Sequence, residues 1–263
     1  MLYRVGYPSS FELIRGGRFR DGHLLTLGKL MILIPAHNEA ATIERIVTEA
    51  SDRVDRPVVV IDDNSSDDTA DRALAAGAIV LPLALQLGAW GATQAGLRFA
   101  ARHGWPIAVT LDADGQHEPA LIPELIAPIR AGVADVVIGA CPSRASVGRR
   151  IAWRYFRALT GIALDDITSG FRAYNRPAIE RLSCPDASLL DYQDVGVLLI
   201  LRRQGLRIQE VQVPMQSRGD GRSRIFDSWW TVGRYMIQTS LLCVARIGHG
   251  PAHPQPDEPR SPL

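Results

Sequence analysis

Residues 31–50 read Met-Ile-Leu-Ile-Pro-Ala-His-Asn-Glu-Ala-Ala-Thr-Ile-Glu-Arg-Ile-Val-Thr-Glu-Ala. The first four are an unbroken apolar run, the pattern of a strand buried on both faces. Polar residues His37, Asn38 and Glu39 follow at once. From 41 to 50 the apolar positions recur at helical spacing, so the stretch predicts a strand, a polar loop and a helix. The unit repeats outward. Short apolar runs at 58–61, 79–82, 107–111 and 136–138 predict further strands, and helical patterns fill 69–76, 91–103 and 119–131 between them. Strands alternating with helices imply a mostly parallel sheet covered on both faces. Ligands of such sheets sit beyond the carboxyl ends of the strands. Polar clusters stand there: His37-Asn38-Glu39, Asp62-Asp63-Asn64 and Asp112-Ala113-Asp114.

The chain has 263 residues, 46% hydrophobic and 22% charged, which fits one soluble α/β domain with short appendages. Its 29 basic and 28 acidic residues leave a net charge of +1, so no basic excess argues for nucleic acid. Cys141, Cys184 and Cys243 are odd in number and far apart, which speaks against a disulfide framework or a zinc site. No run reaches the roughly 18 apolar residues of a membrane span. Residues 1–30 form an irregular extension that does not read as a signal peptide, and Met31 is an alternative start. The protein is expected at the cytoplasmic side. The Pro-rich residues 250–263 are expected to be disordered.

Asp112-Ala-Asp-Gly-Gln-His117 carries the chemistry. Two carboxylates two residues apart, with the Gln116 carbonyl two further on, converge if the backbone turns sharply, and Gly115 permits the turn. Such oxygen donors suit Mg²⁺ or Mn²⁺; the bland alternative is a solvated Asx turn. Asp62–Thr69 is no calcium loop, because Asp67 and Ala73 stand where Gly and Glu are needed. Ser66 or Asp67 can cap the next helix, while Asp63 is placed to accept hydrogen bonds from a base or ribose.

Residues 34–39 (Ile-Pro-Ala-His-Asn-Glu), 60–65 (Val-Ile-Asp-Asp-Asn-Ser) and 112–117 together resemble the GT-A glycosyltransferases of family 2. Asp166-Ile-Thr-Ser-Gly-Phe-Arg172, Glu210-Val211 and Arg218-Gly-Asp-Gly-Arg-Ser-Arg224 narrow the resemblance to the dolichyl- and polyprenyl-phosphate glycosyltransferases. It spans about residues 31–248 and implies a Rossmann-like GT-A catalytic domain over 31–228. It also implies roles. Pro35, His37 and Glu39 would line the nucleotide pocket and Asp63 would contact the base. Asp112, Asp114 and Gln116 would hold the divalent ion, and Arg218, Ser223 and Arg224 would close over the phosphates. Arg172 joins the expected substrate contacts, and Asp112, Asp114, Arg218 and Asp194 are the expected catalytic set. The donor would be a GDP- or UDP-linked sugar and the acceptor a polyprenyl phosphate.

Three departures stand out. Gly139-Ala-Cys-Pro142 replaces the family's usual Gly-Ser-Arg, with Arg144 displaced; the stretch to Asp166 is short; Asp194 and Gly196 stand where a Glu is common. A phosphate acceptor needs no general base, since its second pKa is about 6, which suits the missing Glu. Two rival readings remain: a family 2 enzyme using a sugar hydroxyl, with Asp191 or Asp194 as base, and a non-catalytic nucleotide-binding scaffold. Gly88, Gly91 and Gly96 also match the family, and close helix packing explains them equally well. His117 has a possible contact with metal or phosphate.

Residues 229–247 read as an amphipathic helix with Trp229, Val232, Met236, Ile237, Leu241 and Val244 on one stripe. Arg234, Gln238 and Arg246 interrupt it, so it should not span a bilayer. Five Arg against two Asp between 215 and 249 give a local net of +3. Such a helix packs on the sheet or lies in the membrane interface. The resemblance favours the membrane surface for residues 229–249.

Overall fold

The structure is a computed structural model and describes residues 29–54, 57–142, 147–161, 164–189 and 195–215, with residues 237 and 240. Strands β1 (Leu30–Ala36), β2 (Val58–Asp62), β3 (Ile79–Pro82), β4 (Ile107–Thr110) and β5 (Val136–Ala140) stand where the apolar runs placed them. Two more strands, β6 (Arg172–Asn175) and β7 (Ile208–Gln212), were not anticipated. All seven form one sheet in the order β3-β2-β1-β4-β6-β5-β7. The pairs β1–β2, β1–β4, β2–β3 and β5–β7 are parallel. Among the described strands only β6 runs against its neighbours, β4 and β5. Its first residue therefore lies at the sheet edge where β1, β2 and β4 end.

The helices are α1 (Ile43–Val54), α2 (Thr69–Ala75), α3 (Gly88–Arg102), α4 (Ile122–Arg130), α5 (Val147–Thr160), α6 (Arg176–Leu182) and α7 (Val195–Arg203). The pattern over 119–131 resolves into a 3₁₀ turn, Pro119–Leu121, followed by α4. Alternation along β1 explains the layers. Leu30, Ile32 and Ile34 share a core with Ile43, Ile46 and Val47 of α1 and Ile122, Leu125 and Ile126 of α4. Met31 and Leu33 point the other way, to Trp90 and Leu97 of α3, Ile179 of α6 and Ile200 of α7. Each of these aliphatic side chains, fully buried, contributes about 1.5–3 kcal/mol. Gly96 lets α3 approach the sheet: a Cβ there would lie 2.8 Å from Cδ1 of Ile61. That close packing is what the sequence allowed for it.

The last strands are locked at their far ends. Asp135 accepts from the Arg207 guanidinium (Nε 3.0 Å, Nη2 3.1 Å), the Arg207 amide (2.7 Å) and the Asn175 side chain (2.8 Å). Asn175 in turn caps α6 by accepting from the Ala178 amide at 3.1 Å. These bonds hold the Asp135 carboxyl below its ordinary range, with Arg207 the main cause.

Candidate active site

The loops after β1 and β2 interlock. The Asn38 amide donates to Ser65 Oγ (3.0 Å) and the Ser66 amide to Asn38 Oδ1 (2.8 Å). Asn38 adopts a left-handed φ of 54°, which Asn tolerates better than most residues. The Glu39 amide donates to Thr69 Oγ1 at 2.8 Å, and Asp67 accepts from the Thr69 amide at 3.0 Å. The N-cap of α2 is Asp68, without a side-chain capping bond, rather than the expected Ser66 or Asp67. His37 Nδ1 lies 2.9 Å from the Asp63 carbonyl, and its Nε2 lies 3.3 Å from Asn38 Nδ2. A carbonyl only accepts, so Nδ1 carries the proton and Nε2 is the acceptor. Pro35 is half-buried in β1, paired with Ile61. Asp63 is buried, and its two oxygens accept the amides of Leu87 (2.6 Å) and Gly88 (2.9 Å) at the start of α3. A carboxylate is favoured at a helix N-terminus. The group expected to read a base thus also ties β2 to α3.

Asp112 leaves β4 through Leu111, and Ala113 O accepts from Thr42 Oγ1 at 2.6 Å. Asp114 Oδ1 accepts the Gln116 amide at 3.0 Å, an Asx turn completed by Gly115 at φ 75°. The turn puts Asp112, Asp114 and Gln116 on one short loop. Two carboxylates and an amide are the hard oxygen donors a Mg²⁺ or Mn²⁺ ion takes, with positions left for phosphate oxygens. Among the described residues no group of three or more His, Cys, Asp or Glu gathers as a metal cluster.

Asp112 is flanked on two sides. His117 is 3% exposed, its Nε2 is 3.5 Å from Asp112 Oδ2, and its ring lies 5.1 Å from that of Phe171. At that separation the pair is an electrostatic contact rather than a formed hydrogen bond, and neither ring nitrogen has a hydrogen-bond partner among the described residues. On the other flank stands Gly170, where a Cβ would come within 2.6 Å of Asp112 Cγ.

Gly170 belongs to the segment 166–172, which is bonded along its whole length. Glu210 accepts the amides of Asp165 (2.7 Å) and Asp166 (2.7 Å). Burial raises the Glu210 pKa above its ordinary value, outweighing those two amides. Buried Asp166 accepts from the Thr168 amide (3.2 Å), its hydroxyl (3.1 Å) and the Cys141 amide (3.3 Å). Thr110 Oγ1 donates to the Gly170 carbonyl at 2.7 Å. Arg172 is fully buried. Its Nε donates to Ser169 O and its Nη2 to Ile167 O, both at 2.8 Å. The residue expected among substrate contacts is thus turned into the loop. The sequence reading missed Thr110 and Gly170. Reading 172–175 as a strand antiparallel to 107–110 would have found both.

Arg218, Ser223, Arg224, Asp191 and Asp194 lie outside the described residues, as do residues 1–28 and 250–263. Of the helix expected over 229–249, the structure describes Ile237, which is 63% exposed, and Ser240, whose hydroxyl is 3.0 Å from that of Tyr155 on α5. Among the described residues no helix is long and apolar enough to cross a membrane.

With this geometry in hand, residues 31–183 match the family described as glycosyl transferase family 2. The chain is 30% identical over 241 residues to an undecaprenyl-phosphate mannosyltransferase of Micrococcus luteus, covering 84% of this chain and 97% of the relative. It is 28% identical over 228 residues to a polyprenol monophosphomannose synthase of Mycolicibacterium smegmatis, covering 76% and 82%. Among solved structures it resembles glucosyl-3-phosphoglycerate synthase of Mycobacterium tuberculosis, determined with Mn²⁺, UDP-glucose and phosphoglyceric acid. That likeness has a TM-score of 0.65 and 25% identity, over 86% of this chain and 81% of the other.

Proposed function

This chain belongs to glycosyl transferase family 2, with the GT-A fold, and we propose that it moves a sugar from a GDP- or UDP-linked donor to a polyprenyl phosphate. What supports the acceptor is the similarity to a mannosyltransferase of undecaprenyl phosphate along nearly that relative's whole length. What supports the donor chemistry is the Asp112–Gln116 loop, set at the strand ends beside His37, Glu39 and Asp63.

The residues divide the work. Pro35, His37, Glu39 and Asp63 take the nucleotide. Asp112, Asp114 and Gln116 would hold a Mg²⁺ or Mn²⁺ ion, which would supply positive charge against the donor diphosphate. Arg218, Ser223 and Arg224 close over the phosphates, where guanidinium forks match the oxygen geometry. The acceptor phosphate oxygen attacks the anomeric carbon from the face opposite the diphosphate. The new C–O bond forms as the bond to the diphosphate breaks, and the nucleoside diphosphate leaves with the electron pair, inverting the centre. The phosphate dianion is already a nucleophile near neutral pH. Asp194 is then not required as a base. The acceptor would be met at the inner face of the membrane, through residues 229–249 and the Arg-bearing loop before them.

The metal-dependent part is tested with Asp114→Ala. A loop ligand supports no core, so the variant should keep its melting transition and lose turnover, and chelation should silence the unaltered chain. Turnover undiminished in the variant, or in chelator, would overturn it.

A further inference from the structure

We propose that Arg172 is a positioning residue for Asp112, acting through the bend at 167–170; this rests on the metal-holding role of Asp112 argued above. The antiparallel ladder pairs Thr110 with Arg172 and Val109 with Ala173. Continued two residues past its last pair, that register sets Asp112 opposite Gly170. The bare α-carbon of Gly170 leaves the space the carboxylate occupies. Where Gly170 sits is decided by the bend before it, and that bend is not regular structure. Its carbonyls at 167 and 169 would be buried without partners unless something donated to them.

Arg172 does so. One guanidinium spans both carbonyls at 2.8 Å, and Thr110 Oγ1 takes the carbonyl of Gly170 itself. A planar fork of donors suits two carbonyls at fixed spacing, which an ammonium does not. Burying a guanidinium is costly, and the two carbonyls offset part of that cost, with Nη1 left buried and without a hydrogen-bond partner among the described residues. The arrangement therefore holds Gly170, and through it the side chain of Asp112, in one place. Supporting groups of this kind typically change metal affinity 10–100-fold when removed.

The test is a titration of the full chain with Mn²⁺ alone, read by electron paramagnetic resonance, with thermal melts in parallel. Arg172→Met and Thr110→Val should each bind Mn²⁺ about 10-fold or more weakly while retaining a cooperative melt. Asp135→Asn, at the opposite end of the sheet, should lower the melting temperature and leave Mn²⁺ affinity alone, separating positioning from general loosening. If Arg172→Met does not fold, Thr110→Val carries the test, because it removes one hydroxyl at the same bend with little change of shape. Folded variants that bind as tightly as the unaltered chain would overturn the positioning role alone. An unaltered chain that binds no Mn²⁺ would instead overturn the metal reading beneath it.

Discussion

Gly170 presents its α-carbon to the carboxylate of Asp112, across the antiparallel register that joins β4 to β6. The atoms a new Cβ would strike are the end of a short side chain that is 39% exposed. The carboxylate can move aside, so Gly170→Ala should leave the melting temperature nearly unchanged. Displacing a catalytic group by about 1 Å can cost roughly 10²-fold, and a kcat loss of that order is expected. Unchanged kcat in the folded variant would show that Asp112 does not need its present place.

Asp191 and Asp194 separate two kinds of acceptor. If a phosphate oxygen is the nucleophile, Asp191→Asn and Asp194→Asn should each keep most of kcat. An enzyme using a sugar hydroxyl should lose about 10²–10⁴-fold when its base goes. A loss of that size, with the fold intact, favours the hydroxyl reading.

Asp135 gives a pH dependence whose sign is set. Its folded pKa is depressed by Arg207. Its contribution to stability is therefore fully present above the unfolded value of about 3.9 and is lost as pH falls through the lower folded value. Asp135→Asn should melt at a lower temperature at neutral pH, and the two melting curves should converge in acid. A constant gap down to the lowest pH at which the fold survives would contradict this.

Membrane contact is expected to be weak and salt-sensitive. Residues 229–247 supply apolar burial, and each nearby Arg adds about 1 kcal/mol at an anionic surface, fading within a Debye length. The full chain should sediment with anionic vesicles at low salt and be released at high salt, and a chain ending at Asp227 should not sediment. A folded truncated chain that sediments as well as the full one would remove residues 229–247 as the anchor.

The parallel part of the sheet was legible because strands buried on both faces are written as plain apolar runs, as in 31–34 and 58–61. β6 was not, because Arg-Ala-Tyr-Asn contains one charged and one amide residue. Its burial depends on partners that residue type does not announce: the carbonyls of Ser169 and Ile167 in the preceding bend for Arg172, and the distant Asp135 for Asn175. β7 mixes half-buried and exposed positions at the sheet edge, has no buried residue, and carries little apolar signal. The turn at 112–116 could be read from residue types two apart and a glycine between them. The second task of Asp63 could not, since the amides it accepts lie 24 and 25 residues further on. Arg172 was expected among the substrate contacts from the motif that ends in it, and only the fold shows that its charge faces the loop carbonyls.

A paired acceptor assay tests most directly whether a lipid phosphate is the nucleophile. The full chain would be given labelled nucleotide-sugars, with Mg²⁺ or Mn²⁺, and either a short polyprenyl phosphate or the polyprenol of the same length. Labelled lipid is expected only with the phosphate, its amount falling away when the metal is chelated. Equal transfer to the alcohol, or transfer to a sugar hydroxyl with none to the polyprenyl phosphate, would contradict it.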